Sequence, residues 1–299
     1  MRALAEFFMK SRSRAIGSAV ATAFVPFLSV VSGAILALVW LRMGRREGLI
    51  LLGCASLPGI YYLVAQGSPD ILLTLLAAGV LAETLRSTQA WSQVLVTGTA
   101  LACMVALGFQ WLPDSVRDDF IGVLINQGAL VNYEALQPSD QERLKNLLGL
   151  LLNGVITAVQ ILMIFLSLFL ARWWQASLYN PGGFQSEFHQ IRMPLWYSGV
   201  LLVVALLMLV GIDVLSAILP VLVVPLLISA LALVHGVVAI KQYNTFWLGM
   251  LYVLLLFALP YLSVLLVLIA MADSLMNFRQ RLAPSPPPPP NSDGDDRDA

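Results

Sequence analysis

The side chains that could do chemistry in this chain are ionisable groups within or beside strongly apolar stretches. Glu83 and Arg86 stand three residues apart in one such stretch, and His235 interrupts a run of aliphatic residues in another. A charge is costly in lipid and is usually retained for a functional reason, so each residue is a candidate for a ligand site. Each also has a simpler interpretation, because residues three apart on a helix can neutralise each other and interfacial side chains can reach water.

Two uncharged polar residues extend this set. Asn153 and Gln160 stand seven residues apart in an apolar stretch, a spacing that places them on one face of a helix. They can either line a polar cavity or hydrogen-bond to neighbouring helices. The candidate residues for a polar cavity or ligand site are therefore Glu83, Arg86, Asn153, Gln160 and His235.

A second group of candidates lies in a connection between two apolar stretches. The run Asn180-Pro181-Gly182-Gly183 predicts a turn, because proline fixes one dihedral angle and the glycines permit positive φ. Phe184 and Phe188 follow at helical spacing and predict a short amphipathic helix. The loop is specified more closely than a flexible linker, although a structured connection that seats the next helix would also have this pattern. The residues of this candidate structured loop are Arg172, Asn180, Pro181, Gly182, Gly183, Phe184, Glu187 and Arg192.

Sequence signatures of enzymes are absent. The chain contains no phosphate-binding loop, no dinucleotide-binding glycine turn, no paired-histidine zinc motif and no nucleophile elbow. Its two histidines are far apart, and its two cysteines, Cys54 and Cys103, lie in apolar stretches where a thiol packs as a small hydrophobic group. The sequence therefore predicts no enzyme, no metal site and no cofactor.

The composition identifies the solvent in which these residues must be positioned. Of the 299 residues, 59% are hydrophobic and 11% are charged, whereas an ordinary soluble domain carries about 25% charged residues. A lipid bilayer can solvate this apolar excess, and water cannot. Because 17 Lys and Arg balance 17 Asp and Glu, no net charge favours nucleic acid as a partner. The expected partner is the lipid bilayer.

Apolar runs close to the length of about 20 residues that spans a bilayer recur along the chain. They predict an all-α fold, a polytopic transmembrane helical bundle of eight segments. These segments are residues 15–41, 49–65, 71–85, 94–112, 147–171, 195–211, 214–240 and 246–272.

The first segment has two interpretations, because Pro26 lies in its middle. Proline removes a backbone donor and crowds the preceding turn, so the run is either one kinked helix or a hairpin of two short helices. The hairpin would give nine segments. The positive-inside rule favours the hairpin only slightly, because nine crossings leave the C-terminal tail outside and place Arg279 and Arg281 on the wrong side.

Three further regions complete the predicted organisation. Residues 1–14 form a basic N-terminal segment, and the apolar run after it is longer than that of a secretory signal, which predicts an uncleaved anchor. The transmembrane domain covers residues 15–282 and contains a polar insertion at residues 113–146. Residues 283–299 are rich in proline and then acidic, a composition that predicts a disordered tail.

Two stretches of the chain carry a family resemblance. The loop from Arg172 through Asn180-Pro181-Gly182-Gly183 to Phe188, together with the ending from Ala272 to Arg281, resembles the YybS-like family of uncharacterised bacterial multi-pass membrane proteins. That family is in turn distantly similar to the substrate-binding subunits of energy-coupling-factor transporters. The run from Leu38 through Trp40 to Gly44, followed by Gly48, resembles the turn between two early helices of those subunits, which favours the hairpin at Pro26.

The resemblance implies a function and a location. It implies a transporter-like membrane subunit in the bacterial cytoplasmic (inner) membrane that binds a small molecule between its helices. Since the chain has no phosphate loop, a separate ATPase or membrane coupling subunit would supply the energy. The alternative is a non-transporting scaffold or regulatory protein that recruits partners through residues 180–192 or through the C-terminal tail.

Overall fold

The protein is all-helical over the residues that the structure, a computed structural model, describes, namely 2–25, 28–111, 113–127 and 133–282. No strand occurs among these residues, and two short 3₁₀ turns, Tyr133–Ala135 and Asp213–Ala217, accompany the α-helices. The helices are α1 (Arg2–Met9), α2 (Arg12–Ala23), α3 (Ser29–Met43), α4 (Arg45–Gln66), α5 (Asp70–Thr88), α6 (Trp91–Gly108), α7 (Asp114–Asn126), α8 (Pro138–Tyr179), α9 (Gly183–His189), α10 (Leu195–Leu209), α11 (Leu219–Ile240), α12 (Phe246–Met276) and α13 (Phe278–Leu282).

Six stretches in this described part are long and apolar enough to cross a membrane. They are α4, α5, α6, α8, α12 and the stretch Asp213–Ile240 that contains α11, whereas α3 and α10 are apolar but shorter. With 15 residues each, α3 and α10 are roughly 22 Å long, which is less than the hydrocarbon thickness of about 30 Å. The prediction of a helical membrane bundle is confirmed in this coarser form. The count of eight segments is not confirmed.

The first predicted segment is divided between α2 and α3, which pack against each other. The hydroxyl of Ser32 donates to the carbonyl oxygen of Ala19 at 2.8 Å, and Ala15, Ala19 and Ala23 on α2 are buried. Small buried residues let two helices approach closely in lipid. Pro26 itself lies outside the described residues, as does the C-terminal tail at 283–299.

The bundle has two ends, and contacts between helix termini define them. At the first end, Arg45 at the start of α4 pairs with Glu83 near the end of α5, and Trp91 at the start of α6 contacts Glu187 in α9. At the second end, Gln160 of α8 donates to the main-chain oxygen of Asp70 at the start of α5. Helix α8 runs between the two ends and contacts α3, α5, α6 and α11.

Helix α12 is bent, and both of its ends lie near the C-terminal half of α11. Ala258 has non-helical dihedral angles, two residues before Pro260. Tyr252 contacts His235, and Arg279, just beyond the end of α12, donates to the main-chain oxygen of Ser229. The bend therefore returns α13 toward the first end. Because α1 packs there through Phe8 and Trp174, both ends of the described chain lie at the first end of the bundle.

Candidate functional site

A cavity of about 800 Å³ opens at the first end, within the range of about 300–1,000 Å³ that is usual for small-molecule sites. We call it the first-end cavity. Residues of α1, α8, α9, α11 and the loop before α9 form its walls. Its lining residues are Arg2, Phe169, Trp173, Ala176, Ser177, Pro181, Gly182, Phe184, Gln185, Phe188, His189 and His235.

The turn that enters α9 builds one wall of the cavity. Gly182 has a φ of 86°, a conformation that disfavours any residue with a Cβ. A Cβ on Gly183 would overlap the side chain of Asn180. After this turn, the ring centroids of Phe184 and Phe188 lie 6.0 and 5.7 Å from the ring centroid of Phe169 on α8. The loop that the sequence singled out is therefore an ordered part of the bundle.

An ion pair holds α9 against α8. Arg172 donates from Nε to Glu187 at 2.9 Å and also from its terminal nitrogen to the other carboxylate oxygen. Trp91 donates to the same carboxylate at 3.3 Å. Arg172 and Glu187 are 22% and 32% exposed, so solvent screens the pair only in part. Glu187 is thus a structural anchor that fixes the wall carrying Phe184 and Phe188.

A second charge cluster fixes the segment that leaves α9. Asp273 of α12 is fully buried, and one of its carboxylate oxygens lies 3.8 Å from Nε of Arg192 and 3.5 Å from a terminal nitrogen of Arg279. Arg192 also donates to the main-chain oxygens of Asp273 and Ser274, at 3.0 and 2.7 Å. Arg279 donates to the main-chain oxygen of Ile191 at 2.9 Å. These bonds hold the non-helical residues between α9 and α10 against α12 and α13.

The two histidines meet at the cavity although they are far apart in the sequence. The ring centroids of His189 and His235 are 6.4 Å apart. His235 donates from Nδ1 to the main-chain oxygen of Leu231 at 2.8 Å, because a carbonyl can only accept. Its Nε2 then accepts from the hydroxyl of Tyr252 at 3.3 Å. Both ring nitrogens of His235 are therefore occupied.

His189 differs from His235 in its hydrogen bonding. No side chain or main-chain group of the described residues hydrogen-bonds to its ring. Partial burial lowers the pKa of His189 below the ordinary value of 6.5, and the nearby His235 and Arg279 lower this pKa further. The imidazole is consequently neutral at neutral pH, half-buried, and open to a ligand.

Glu83 and Arg86 lie at the first end but not in this cavity. The carboxylate of Glu83 accepts from Nε1 of Trp40 and from Nε of Arg45, both at 2.7 Å. Arg86 points to Gly44 instead and borders a separate polar pocket of about 340 Å³ with Arg172, Gln175 and Glu187. The hydrogen bonds of Glu83 thus come from α3 and α4, while Arg86 acts on Glu83 only through its charge.

Asn153 and Gln160 lie toward the second end. Asn153 donates to the main-chain oxygens of Ala106 and Phe109, at 2.8 and 3.0 Å, and accepts from the main-chain nitrogen of Trp111. Gln160 donates to Thr74 at 2.5 Å and borders an apolar groove of about 400 Å³ between α5, α6 and α8. Of the five predicted polar candidates, only His235 lines the first-end cavity, so the set does not converge on one site.

Several lining residues were not among the sequence candidates. Arg2, Phe169, Trp173 and His189 line the cavity, and only the apolar residues Ala5 and Phe8, three apart in α1 and both buried, could have indicated that the N-terminus packs on the bundle. Across the described part of the chain, no group of three or more His, Cys, Asp or Glu side chains could hold a metal ion.

Comparisons with known proteins give no functional assignment, so the proposal below is based on the geometry of the structure. No family model, curated protein or solved structure matches this chain.

Proposed function

We propose that this chain is a transporter-like membrane subunit that binds a small molecule in the first-end cavity. The observation that supports this proposal is the cavity itself, which combines a volume of about 800 Å³ with aromatic walls and a small number of polar groups. Small-molecule sites have this composition, since aromatic faces supply contact area and a few polar groups orient the ligand. The ion pair of Arg172 with Glu187 and the Asp273 cluster hold the walls before any ligand enters.

The distribution of charge supports an orientation in which the first end faces the cytoplasm. Cytoplasmic ends of membrane proteins carry an excess of Lys and Arg. Among the described residues, Arg117, Arg143 and Lys145 lie at the second end, where Arg117 pairs with Asp114 of α7 and Arg143 pairs with Asp213. The other described Lys and Arg residues lie at or toward the first end, and they are Arg2, Lys10, Arg12, Arg14, Arg42, Arg45, Arg46, Arg86, Arg172, Arg192, Lys241, Arg279 and Arg281.

This orientation in a bacterial inner membrane would place the cavity on the side where ATP is available. The chain has no phosphate-binding loop, so a separate ATPase or membrane coupling subunit would drive any movement of the ligand. The resemblance of the loop from Arg172 to Phe188 to the YybS-like family, which is distantly similar to energy-coupling-factor subunits, agrees with this proposal. The scaffold alternative has less support, because Phe184, Phe188 and Glu187 face the bundle and not a partner.

The proposal can be tested by finding out whether the cavity retains a molecule during purification. Ser177 lines the cavity, so Ser177→Trp should place a bulky ring inside it and obstruct the ligand, whereas Ser115 is exposed on α7 and Ser115→Trp is the matched control. Native mass spectrometry of protein released from mild detergent should show an added small-molecule mass on the wild type and on Ser115→Trp but not on Ser177→Trp. The absence of such a mass on the wild type, or its retention by Ser177→Trp, would contradict the proposal.

A further inference from the structure

The ionisable groups around the first-end cavity define the charge of what it can bind, and this inference rests on the proposed function. Arg2, His189 and His235 are the ionisable side chains in the lining, and no carboxylate is among the described lining residues, although Arg2 is paired with Glu6 one helical turn away. Four of the other nine lining residues are aromatic. A cavity whose ionisable groups are all basic favours an anion, and flat aromatic walls favour a flat apolar body.

His189 is the group that can respond to such an anion. The ring nitrogens of His235 are already bonded to Leu231 and Tyr252, whereas the ring of His189 has no hydrogen-bond partner among the described residues. A neutral imidazole offers one donor, and an imidazolium offers two donors and a full charge. Protonation of His189 would therefore convert a weak polar contact into a charge-assisted hydrogen bond.

The groups around His189 lower its affinity for a proton. His235 faces it from α11, Arg279 from α13 and Arg2 from the cavity lining at α1. The nearby carboxylates are committed, because Glu187 of α9 is paired with Arg172 of α8 and Asp273 of α12 lies between Arg192 and Arg279. Lys241 ends α11, and the hydroxyl of Tyr252 on α12 is bound to His235. Arg2 is likewise paired with Glu6 of α1 at 2.9 Å, so no carboxylate is left to pair with His189, and His235 and Arg279 oppose its protonation.

An anion in the cavity would reverse this balance, since its charge stabilises the imidazolium that the surrounding bases destabilise. We propose that the first-end cavity binds a small organic monoanion with a flat apolar body, and that His189 takes up one proton from water when the anion binds. The ligand stays deprotonated, the imidazole becomes imidazolium, and the bound pair carries no net charge. Uptake of the ligand is thereby coupled to uptake of a proton.

Two probes of equal shape and different charge test this inference. Wild-type protein in phosphatidylcholine nanodiscs is titrated calorimetrically with 2-naphthoate and with its neutral analogue 2-naphthamide, from about pH 5 to about pH 8. The dissociation constant of naphthoate should rise by up to about tenfold per pH unit above the pKa of free His189 and should level off below it. That of naphthamide should not change with pH. Titrations in buffers of different ionisation enthalpy should show uptake of one proton with naphthoate only.

Two substitutions of His189 test whether this residue takes up the proton. His189→Gln cannot be protonated, so naphthoate binding should become weak and independent of pH. His189→Arg is charged at every pH used, so naphthoate binding should become independent of pH at a higher affinity than His189→Gln shows. Unchanged binding of naphthamide to both variants shows that the cavity is intact.

The possible failures are distinguishable. If neither probe binds the wild type at any pH, the proposed function fails together with its cavity. If both probes bind but naphthoate binding does not depend on pH, or still depends on pH in His189→Gln, the proton-coupled inference is overturned and the cavity remains. Nanodiscs with added phosphatidylglycerol test whether a lipid headgroup occupies the cavity instead. Competition by this lipid with naphthoate would overturn the proposed flat organic anion, and naphthoate binding that the lipid does not change supports it.

Discussion

Arg192 and Asp273 bind each other twice, through their side chains at 3.8 Å and through a hydrogen bond from Nε of Arg192 to the main-chain oxygen of Asp273 at 3.0 Å. Because the side chain of Asp273 is 1% exposed, its removal leaves the charges of Arg192 and Arg279 without a buried partner. Asp273→Ala should therefore lower the free energy of unfolding by about 3 kcal/mol, as measured by denaturation in mixed detergent micelles.

The exposed residue Asp119 supplies the control for Asp273. It lies on α7 and forms no ion pair among the described residues, so Asp119→Ala should change the free energy of unfolding by less than about 0.5 kcal/mol. Equal effects of the two substitutions would show that the Asp273 cluster does not hold α12 against the segment after α9.

Substitution by alanine should change the stability of the protein in opposite directions at Gly48 and at Gly53, which both lie on α4. A Cβ on Gly48 would overlap the ring of Trp40, whereas a Cβ on Gly53 has no neighbouring atom within 4 Å. Gly48→Ala should destabilise the protein by about 1–3 kcal/mol because the Trp40 ring must move. Gly53→Ala should stabilise it by about 0.5 kcal/mol, since alanine favours a helix over glycine. Thermal unfolding followed by size-exclusion fluorescence measures both changes, and a tolerated Gly48→Ala would contradict the close packing of α3 on α4.

Asn153 should prove to be a structural residue. Its side chain makes three hydrogen bonds to the main chain around the end of α6, and Asn153→Leu would leave those groups without partners. The expected loss is about 2–4 kcal/mol in the free energy of unfolding. Asn126 is exposed at the end of α7, so Asn126→Leu serves as the control and should be close to neutral. A stable Asn153→Leu protein with altered ligand retention would instead indicate a binding role.

Local sequence rules predict the features that depend on neighbouring residues. The turn at Gly182 adopts the positive φ that the Asn-Pro-Gly-Gly pattern requires, and the described residues of the predicted apolar segments are mostly helical. The bend in α12 at Ala258, two residues before Pro260, was not predicted from the sequence. The bend brings Arg279 back to α11, where Arg279 contacts Ser229 and the buried Asp273.

Contacts between distant segments could not be predicted in the same way. The spacing of Glu83 and Arg86 indicates a pair on one helix, but Arg45 and Trp40 approach Glu83 from two other helices and provide shorter contacts. His189 and His235 meet because α9 packs on α11, and nothing in the sequence around either histidine specifies that packing. The candidate site therefore depends on tertiary geometry, even though one of its walls is a predicted loop.

The stability of the protein without ligand should fall as the pH falls below the ordinary histidine value. Burial and positive neighbours lower the pKa of His189 in the folded state below 6.5, so between the folded and unfolded values the unfolded state binds more protons. Protonation then favours unfolding. The contribution of His189 to the free energy of unfolding is therefore complete above about pH 6.5 and is lost as the pH falls through the pKa of His189 in the folded state. The melting temperature of the wild type should decrease from about pH 7 to about pH 5, and His189→Phe should reduce this decrease. An unchanged slope in His189→Phe would mean that other groups control it.

The orientation of the bundle can be read from two matched serines at its opposite ends. Ser87 is exposed at the end of α5, at the first end, and Ser115 is exposed on α7, at the second end. With Cys54 and Cys103 replaced by serine, Ser87→Cys and Ser115→Cys each supply one accessible thiol. If the excess of Lys and Arg keeps the first end in the cytoplasm, a membrane-impermeant maleimide applied to intact bacterial cells should label Ser115→Cys and spare Ser87→Cys. Permeabilised cells should show labelling of both. The reverse pattern in intact cells would turn the first-end cavity, with His189 and its proton, toward the outside, and would exclude an ATPase that acts at that end.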